Sequence, residues 1–291
     1  MFKSFDNSWR LAKASWAVLR ANKQLMWFPV MAGISMVIVF ILFFIPAAIL
    51  TGILSMITGA TTSDGSGSEV FGYILMFLMY LVSYTVGIFF NTALIGSALH
   101  YMDGETPTVS SGIALARSKM GLIIGYALIS ATVGVILNAI RERSGLLGNI
   151  ISGLIGMAWN LATFLVVPIL AVNDISPIDA IKSSASLFKK TWGEQVVGNF
   201  GIGAVIGLLS VGVIILGGLL MAVLAATESP LLVFIGLAIM ALAIITVIVI
   251  GSAMDGVYKA ALYRYAETGE LPSDFDIDMI QSAFRPKKKK N

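Results

Sequence analysis

The chain contains no cysteine, and His100 is its one histidine among 291 residues. Disulfides, thiolate metal sites and cysteine nucleophiles are excluded, and a multi-histidine metal centre cannot be assembled. Charge is scarce too. Only 12% of the residues are Asp, Glu, Lys or Arg, against roughly 25% in soluble domains. The net charge of +3 is too small to suggest a nucleic-acid partner. No spacing offers paired inward acids, a metal-ligand set or a nucleophile beside a base. The glycines around Gly198, Gly201 and Gly203 open an apolar run and carry no Lys-Ser/Thr, so they are not a phosphate loop. No enzymatic activity, cofactor or metal is expected.

What the chain has in abundance is apolar sequence: 57% of it is hydrophobic, and the mean hydropathy is +0.91. Six intervals carry no charge: residues 24–63, 70–102, 120–140, 144–173, 195–227 and 229–254. About 20 apolar residues cross a bilayer core about 30 Å thick, so each interval suffices for one helix. The expected fold is an all-α integral membrane protein with six transmembrane helices and three short amphipathic helices. The first apolar run is too long for the h-region of a cleavable signal peptide. Pro29, Pro46 and Pro168 are the expected kinks.

The clearest amphipathic helix is expected at 176–192. Ser176 precedes Pro177, and Asp179 completes a capping-box pattern. Ile178, Ile181, Ala185, Phe188 and Trp192 make one apolar stripe, away from Lys182, Lys189 and Lys190. Before the first span, Trp9 and Trp16 lie seven residues apart beside Arg10, Lys13 and Arg20, with Leu11 and Val18 roughly opposite. Tryptophan among basic residues suits the headgroup zone. Three segments are therefore expected: an interfacial helix at 1–23, a six-helix domain at 24–265 with surface helices at about 107–119 and 176–192, and a basic tail at 266–291.

Two span ends resemble each other. Ala98-Leu-His-Tyr-Met-Asp-Gly-Glu-Thr-Pro-Thr and Ala261-Leu-Tyr-Arg-Tyr-Ala-Glu-Thr-Gly-Glu-Leu-Pro-Ser share Ala-Leu, an aromatic residue and Gly-Glu-x-Pro. Asn173-Asp-Ile-Ser-Pro is a looser version. The match suggests a unit of one surface helix and one two-span hairpin, present three times at about 5–101, 107–173 and 176–265. The alternative is loop chemistry common to many helix connections. Of the 19 Lys and Arg residues, only Arg141 and Arg143 fall between the two spans of a hairpin. The others gather at the termini and the inter-unit loops, which marks that side as cytoplasmic. The expected location is the cell (inner or plasma) membrane, multi-pass, with both termini cytoplasmic. Lys287 to Lys290 would attract anionic lipid at about 1 kcal/mol per basic residue, or form a solvated end.

Polar side chains inside the spans are the candidates for a cavity or pathway. Tyr73, Phe77, Tyr80, Tyr84, Gly87 and Asn91 share one face of span two, and Asn138, Asn160 and Asn199 place one amide in each of the next three spans. The pathway candidates are Tyr80, Tyr84, Asn91, Asn160 and Asn199; the other reading is hydrogen bonding between helices. Gly121-x-x-x-Gly125 and Gly203-x-x-x-Gly207 fit close helix packing. Asp255 and Lys259 are spaced to pair along a helix. The membrane-surface anchors are Trp9, Trp16, Lys182, Lys189, Lys190 and Trp192.

Ser4-Phe-x-x-Ser-Trp-x-Leu-x-Lys-x-Ser-Trp, Phe90-Asn-Thr-Ala-Leu, Val167-Pro-Ile-Leu, Pro177-x-x-Ala-Ile-x-x-Ser and Trp192-Gly-Glu resemble an uncharacterised family of prokaryotic six-span membrane proteins. More distantly, the pattern from Pro168 to Ser183 is similar to the membrane domain attached to some glycerophosphodiester phosphodiesterases. The soluble catalytic domain of those enzymes has no counterpart here, so the resemblance implies no phosphodiesterase activity. Two functions remain open. One is a transporter, channel or lipid-handling protein with a cavity among spans two, four and five. The other is a scaffold or regulator that binds a membrane partner, a second copy of itself or anionic lipid through its basic face.

Overall fold

The structure is a computed structural model and describes residues 2–58, 66–143, 145–192, 201–227, 229–272 and 275. Among these residues the fold is all-α. Helix α1 (Phe2–Ala21) and a 3-10 turn (Lys23–Met26) lead into α2 (Trp27–Thr58) and α3 (Ser66–Met102). Helix α4 (Val109–Ser118) precedes α5 (Met120–Arg143), α6 (Gly145–Ala162) and α7 (Val166–Val172). Helix α8 (Pro177–Trp192) precedes α9 (Gly201–Ala225) and α10 (Pro230–Thr268). The order of one short amphipathic helix followed by two apolar spans thus occurs three times, with α6 and α7 forming one interrupted span. Among the described residues, six segments are long and apolar enough to cross a membrane: Lys23–Leu50, Ile74–Met102, Met120–Arg141, Gly148–Val172, Val205–Ala225 and Pro230–Thr268. Much of their surface is bare Ile, Leu, Val and Phe, as on α2 from Ile34 to Ile53 and on α9 from Leu208 to Val223. Such a surface is stable where the solvent is hydrocarbon.

The chain forms two compact units. The first comprises residues 1–29, 94–111 and 186–291. In it, α1 packs on α9 and α10. Leu11, Ala12, Ala14, Ser15, Val18 and Leu19 of α1 are buried, while Trp9, Arg10, Lys13 and Arg20 are exposed. Helix α1 is therefore amphipathic because one face closes on two spans. The end of α3 lies against α10 at Gly256, where an added Cβ would collide with Leu94. The resembling span ends fold alike: Gly104 (φ 87°) and Gly269 (φ 77°) take the left-handed conformation that glycine tolerates, and Pro107 and Pro272 are both buried. Arg264 pairs with Asp103, joining the two turns. The Gln24 side chain accepts the Val109 N–H at the start of α4 (2.9 Å), and Asn22 donates to the Pro107 carbonyl (3.2 Å). Asp255 and Lys259 pair at 2.7 Å.

The second unit comprises residues 30–93 and 112–185, with α5 packed on α6. Its α8 segment begins with the expected capping box. Ser176 Oγ accepts the Asp179 N–H at 3.2 Å and donates to the Asp179 carboxylate at 2.7 Å. These bonds, with Lys182 nearby, hold the Asp179 carboxyl below its usual range. The expected apolar stripe is only partly right. Ile178 is exposed, whereas Ala180 and Ser184 are fully buried, and Pro177 stands 3.0 Å from the position a Cβ would take on Gly125. Small residues win that face because they let α8 approach closely.

The three prolines take different places in the helices. Pro29 sits in the first turn of α2, where proline is tolerated, and Pro46 lies inside α2 without interrupting it. Near Pro168 the chain does break, between Ala162 and Val166. Among the described residues, nothing lies within 4 Å of a Cβ added at Gly121, Gly203 or Gly207, whereas Gly125 has Pro177 close by. Gly217, Gly236, Gly251 and Gly256 make the close approaches in the first unit.

Candidate functional site

The break in span four creates the polar site of the second unit. Proline has no N–H, so Pro168 cannot donate to the carbonyl four residues earlier, at Phe164. The turn reorganises around that loss. Val166 N–H turns to Thr163 O (3.1 Å), and Phe164 N–H reaches Leu161 O at 3.4 Å. Leu165 N–H goes to Ser184 Oγ of α8 at 3.0 Å, and both residues are fully buried. An irregular backbone at membrane depth survives only where protein satisfies its polar groups, and Ser184 provides that here.

Hydroxyls surround the break. Thr163 Oγ1 donates to Trp159 O at 2.7 Å. Tyr126 of α5 is buried, with its phenol near Thr163. Ser130 is one turn further along α5, close to the same phenol but outside hydrogen-bond geometry. Its Oγ is buried with no partner. Tyr126, Ser130 and Gly134 are spaced four apart, so they form one row on α5. At the far end of that row, the Tyr84 hydroxyl of α3 lies 3.6 Å from where a Cβ on Gly134 would stand. Tyr84 also stacks with Tyr80, with ring centroids 6.5 Å apart.

The expected pathway residues meet this site in part. Tyr84 belongs to it, and Tyr80 adjoins Tyr84. Asn91 lies on an exposed face of α3 and donates to its own helix at Gly87 O, 3.0 Å away. Asn160 is exposed on α6. Asn199 is outside the described residues. Of the expected anchors, Trp9, Lys182, Lys189 and Lys190 are exposed and Trp16 is half-buried; Trp192 is the last residue of α8. Lys13 stands over the Trp9 ring, 5.7 Å from its centroid. The basic tail from 276 onward and the loop at 59–65 lie outside the described residues.

Sequence reasoning missed Tyr126, Ser130, Thr163 and Ser184. The spacing of Tyr126, Ser130 and Gly134 was available as a signal; the Ser184 contact was not. A second polar grouping outside the spans is Lys119 with Asp174. Its ammonium reaches the carboxylate at 2.6 Å while most of the lysine stem is buried. This pair ties the α4–α5 junction to the α7–α8 junction. Among the described residues, no group of three or more His, Cys, Asp or Glu could hold a metal ion.

Six apolar spans, one of them interrupted beside buried hydroxyls, define an all-α multi-pass membrane protein. The chain belongs to a family of unknown function (DUF6159), whose profile matches residues 70–273. That match covers the interrupted span, α8 and both Gly-Glu-x-Pro turns. No curated protein and no solved structure is detectably similar to the chain.

Proposed function

We propose that the protein is a non-enzymatic transporter or lipid-handling protein of a prokaryotic inner membrane, working through the hydroxyl-lined break in span four. The observation that carries this reading is the backbone itself. A helix broken inside hydrocarbon is costly, and such breaks are kept where they are buried in protein or line a cavity, as the discontinuous helices of transporters do. Ser184 supports the break, Tyr126, Ser130 and Thr163 supply polar groups near it, and Tyr84 lies at the far end of the α5 row. The working site then involves spans two, three and four; the expectation of span five rested on Asn199.

The absence of cysteine makes the test direct. Ser130→Cys in native membranes should react with a water-soluble methanethiosulfonate reagent, because a pathway must admit water. Failure to react, with Ser110→Cys reacting normally at an exposed position of α4, would overturn the reading. Ser110→Cys should itself be reached only from the cytoplasmic side.

A second reading, a scaffold held to anionic lipid, is favoured by the outward face of α1. That face carries Trp9, Arg10, Lys13 and Arg20 while the opposite face is closed on α9 and α10. Tryptophan and basic residues together suit an anionic headgroup layer.

A further inference from the structure

Helix α8 presents two different faces along its 16 residues. Ala180, Ser184 and Phe188 are buried on one side. Ile178, Lys182, Lys189 and Lys190 are exposed on the other. Lys189 follows Lys182 by two helical turns, so both share one face, and Ser184 lies on the opposite one. Lys182 stands 3.3 Å from Asp179, but both side chains are largely open to solvent, so the pair holds the ammonium weakly. Ile178, one turn before Lys182, suits an apolar acyl boundary better than water.

Two contacts fix the depth of α8. Pro177 stands 3.0 Å from the Cβ position of Gly125, five residues into the span Met120–Arg141. At 1.5 Å per residue that is about 7.5 Å inside the end of the span. Ser184 accepts the Leu165 N–H at 3.0 Å, seven residues before the end of the span Gly148–Val172, or about 10 Å inside it. Amphipathic helices that lie in a bilayer surface bury their apolar face about 5–10 Å into the headgroup–acyl boundary. Helix α8 lies at that depth, and the long lysine stems on its outer face carry their ammonium groups to the headgroup layer. Three exposed ammonium groups there complement the phosphates of anionic lipid.

The helix that faces the headgroups also holds the break. N–H···O bonds span about 2.7–3.2 Å, so a shift of α8 by about 1 Å loses the one at Leu165. Just before Pro177, Lys119 and Asp174 tie the start of α8 to α5 at 2.6 Å. The three lysines lie beyond that tie, on either side of Ser184 in the chain. We propose that α8 docks on anionic phospholipid headgroups through Lys182, Lys189 and Lys190, and that this docking keeps Ser184 on Leu165, so that lipid charge regulates the break in span four. The inference rests on the proposed function, in which that break is the working site.

The test is amide hydrogen exchange of the segment 160–170 in the full-length protein, in nanodiscs of phosphatidylcholine alone and of phosphatidylcholine mixed with phosphatidylglycerol. Exchange at Leu165 should be slower in the anionic nanodiscs by about fivefold or more, which corresponds to one lysine losing its headgroup attraction on opening. Changing Lys182, Lys189 and Lys190 together to Gln should erase that difference, and Lys182→Gln alone should reduce it. Arg117→Gln, at an exposed position of α4, should keep it. Ser184→Ala should exchange fast in both lipids. Equal exchange of the parent in the two nanodiscs overturns the proposal, as does an undiminished difference in the triple variant. If the parent is indifferent to lipid but the Ser130→Cys protein is labelled, lipid control falls and the transport reading stands. If exchange follows lipid through the lysines but the Ser130→Cys protein stays unreactive, the docking of α8 stands and the transport reading falls.

Discussion

Replacing Ser184 by alanine removes the acceptor that holds the break in span four. Ser184 and Leu165 are both fully buried, and their bond is 3.0 Å long. An orphaned N–H in such a place costs about 1–3 kcal/mol. The lower end applies if Leu165 N–H can swing back to Leu161 O, which already receives Phe164 N–H at 3.4 Å. The higher end applies if the lost donor at Pro168 keeps the turn as it is. The assay is amide hydrogen exchange of the segment spanning residues 160–170, in detergent, alongside thermal unfolding. A loss of 1–3 kcal/mol speeds exchange at Leu165 by roughly 5- to 150-fold if opening there is local. Ser183→Ala, at an exposed neighbour, should stay within about 0.5 kcal/mol of the parent. If Ser184→Ala exchanges and melts like the parent, the contact between α8 and Leu165 does not hold the break, and the account of the site's backbone is wrong.

Two further outcomes are expected. Gly256→Val should destabilise by about 1–3 kcal/mol through overpacking against Leu94, whereas Gly121→Ala, in open space, should be neutral or slightly stabilising; added Leu94→Ala should recover part of the loss at Gly256, and equal melting of all these variants would refute the packing. In nanodiscs, the parent should retain more anionic lipid, by native mass spectrometry, than a triple variant with Arg10, Lys13 and Arg20 changed to Ala; identical retention would remove the case for α1 as a lipid-binding face.

The local rules of the chain carried much of the architecture. Charge-free length fixed the six spans, because no water is available at membrane depth to solvate an ion. Ser176, Pro177 and Asp179 announced the start of α8, since a capping box is closed within four residues. The Gly-Glu-x-Pro ends fold alike at Gly104 and Gly269 because a left-handed turn selects glycine. Asp255 and Lys259 pair within one helix turn.

Tertiary structure decided the rest, because it depends on which surfaces meet. Ile178 looked like a core residue by periodicity and is exposed, while Ala180 and Ser184 take the buried face. Hydropathy ranks side chains by transfer energy and is silent on how closely a backbone must approach. Pro168 signalled a disturbance, but the rupture falls between Ala162 and Val166, and a serine nineteen residues beyond Leu165 repairs it. Likewise, Gly256 matters because Leu94 presses on it, whereas no described residue comes within 4 Å of a Cβ at Gly203. The sequence determines where this polypeptide can enter lipid; the packed helices alone determine which of its polar atoms are left facing one another there, because that pairing joins groups far apart in the chain.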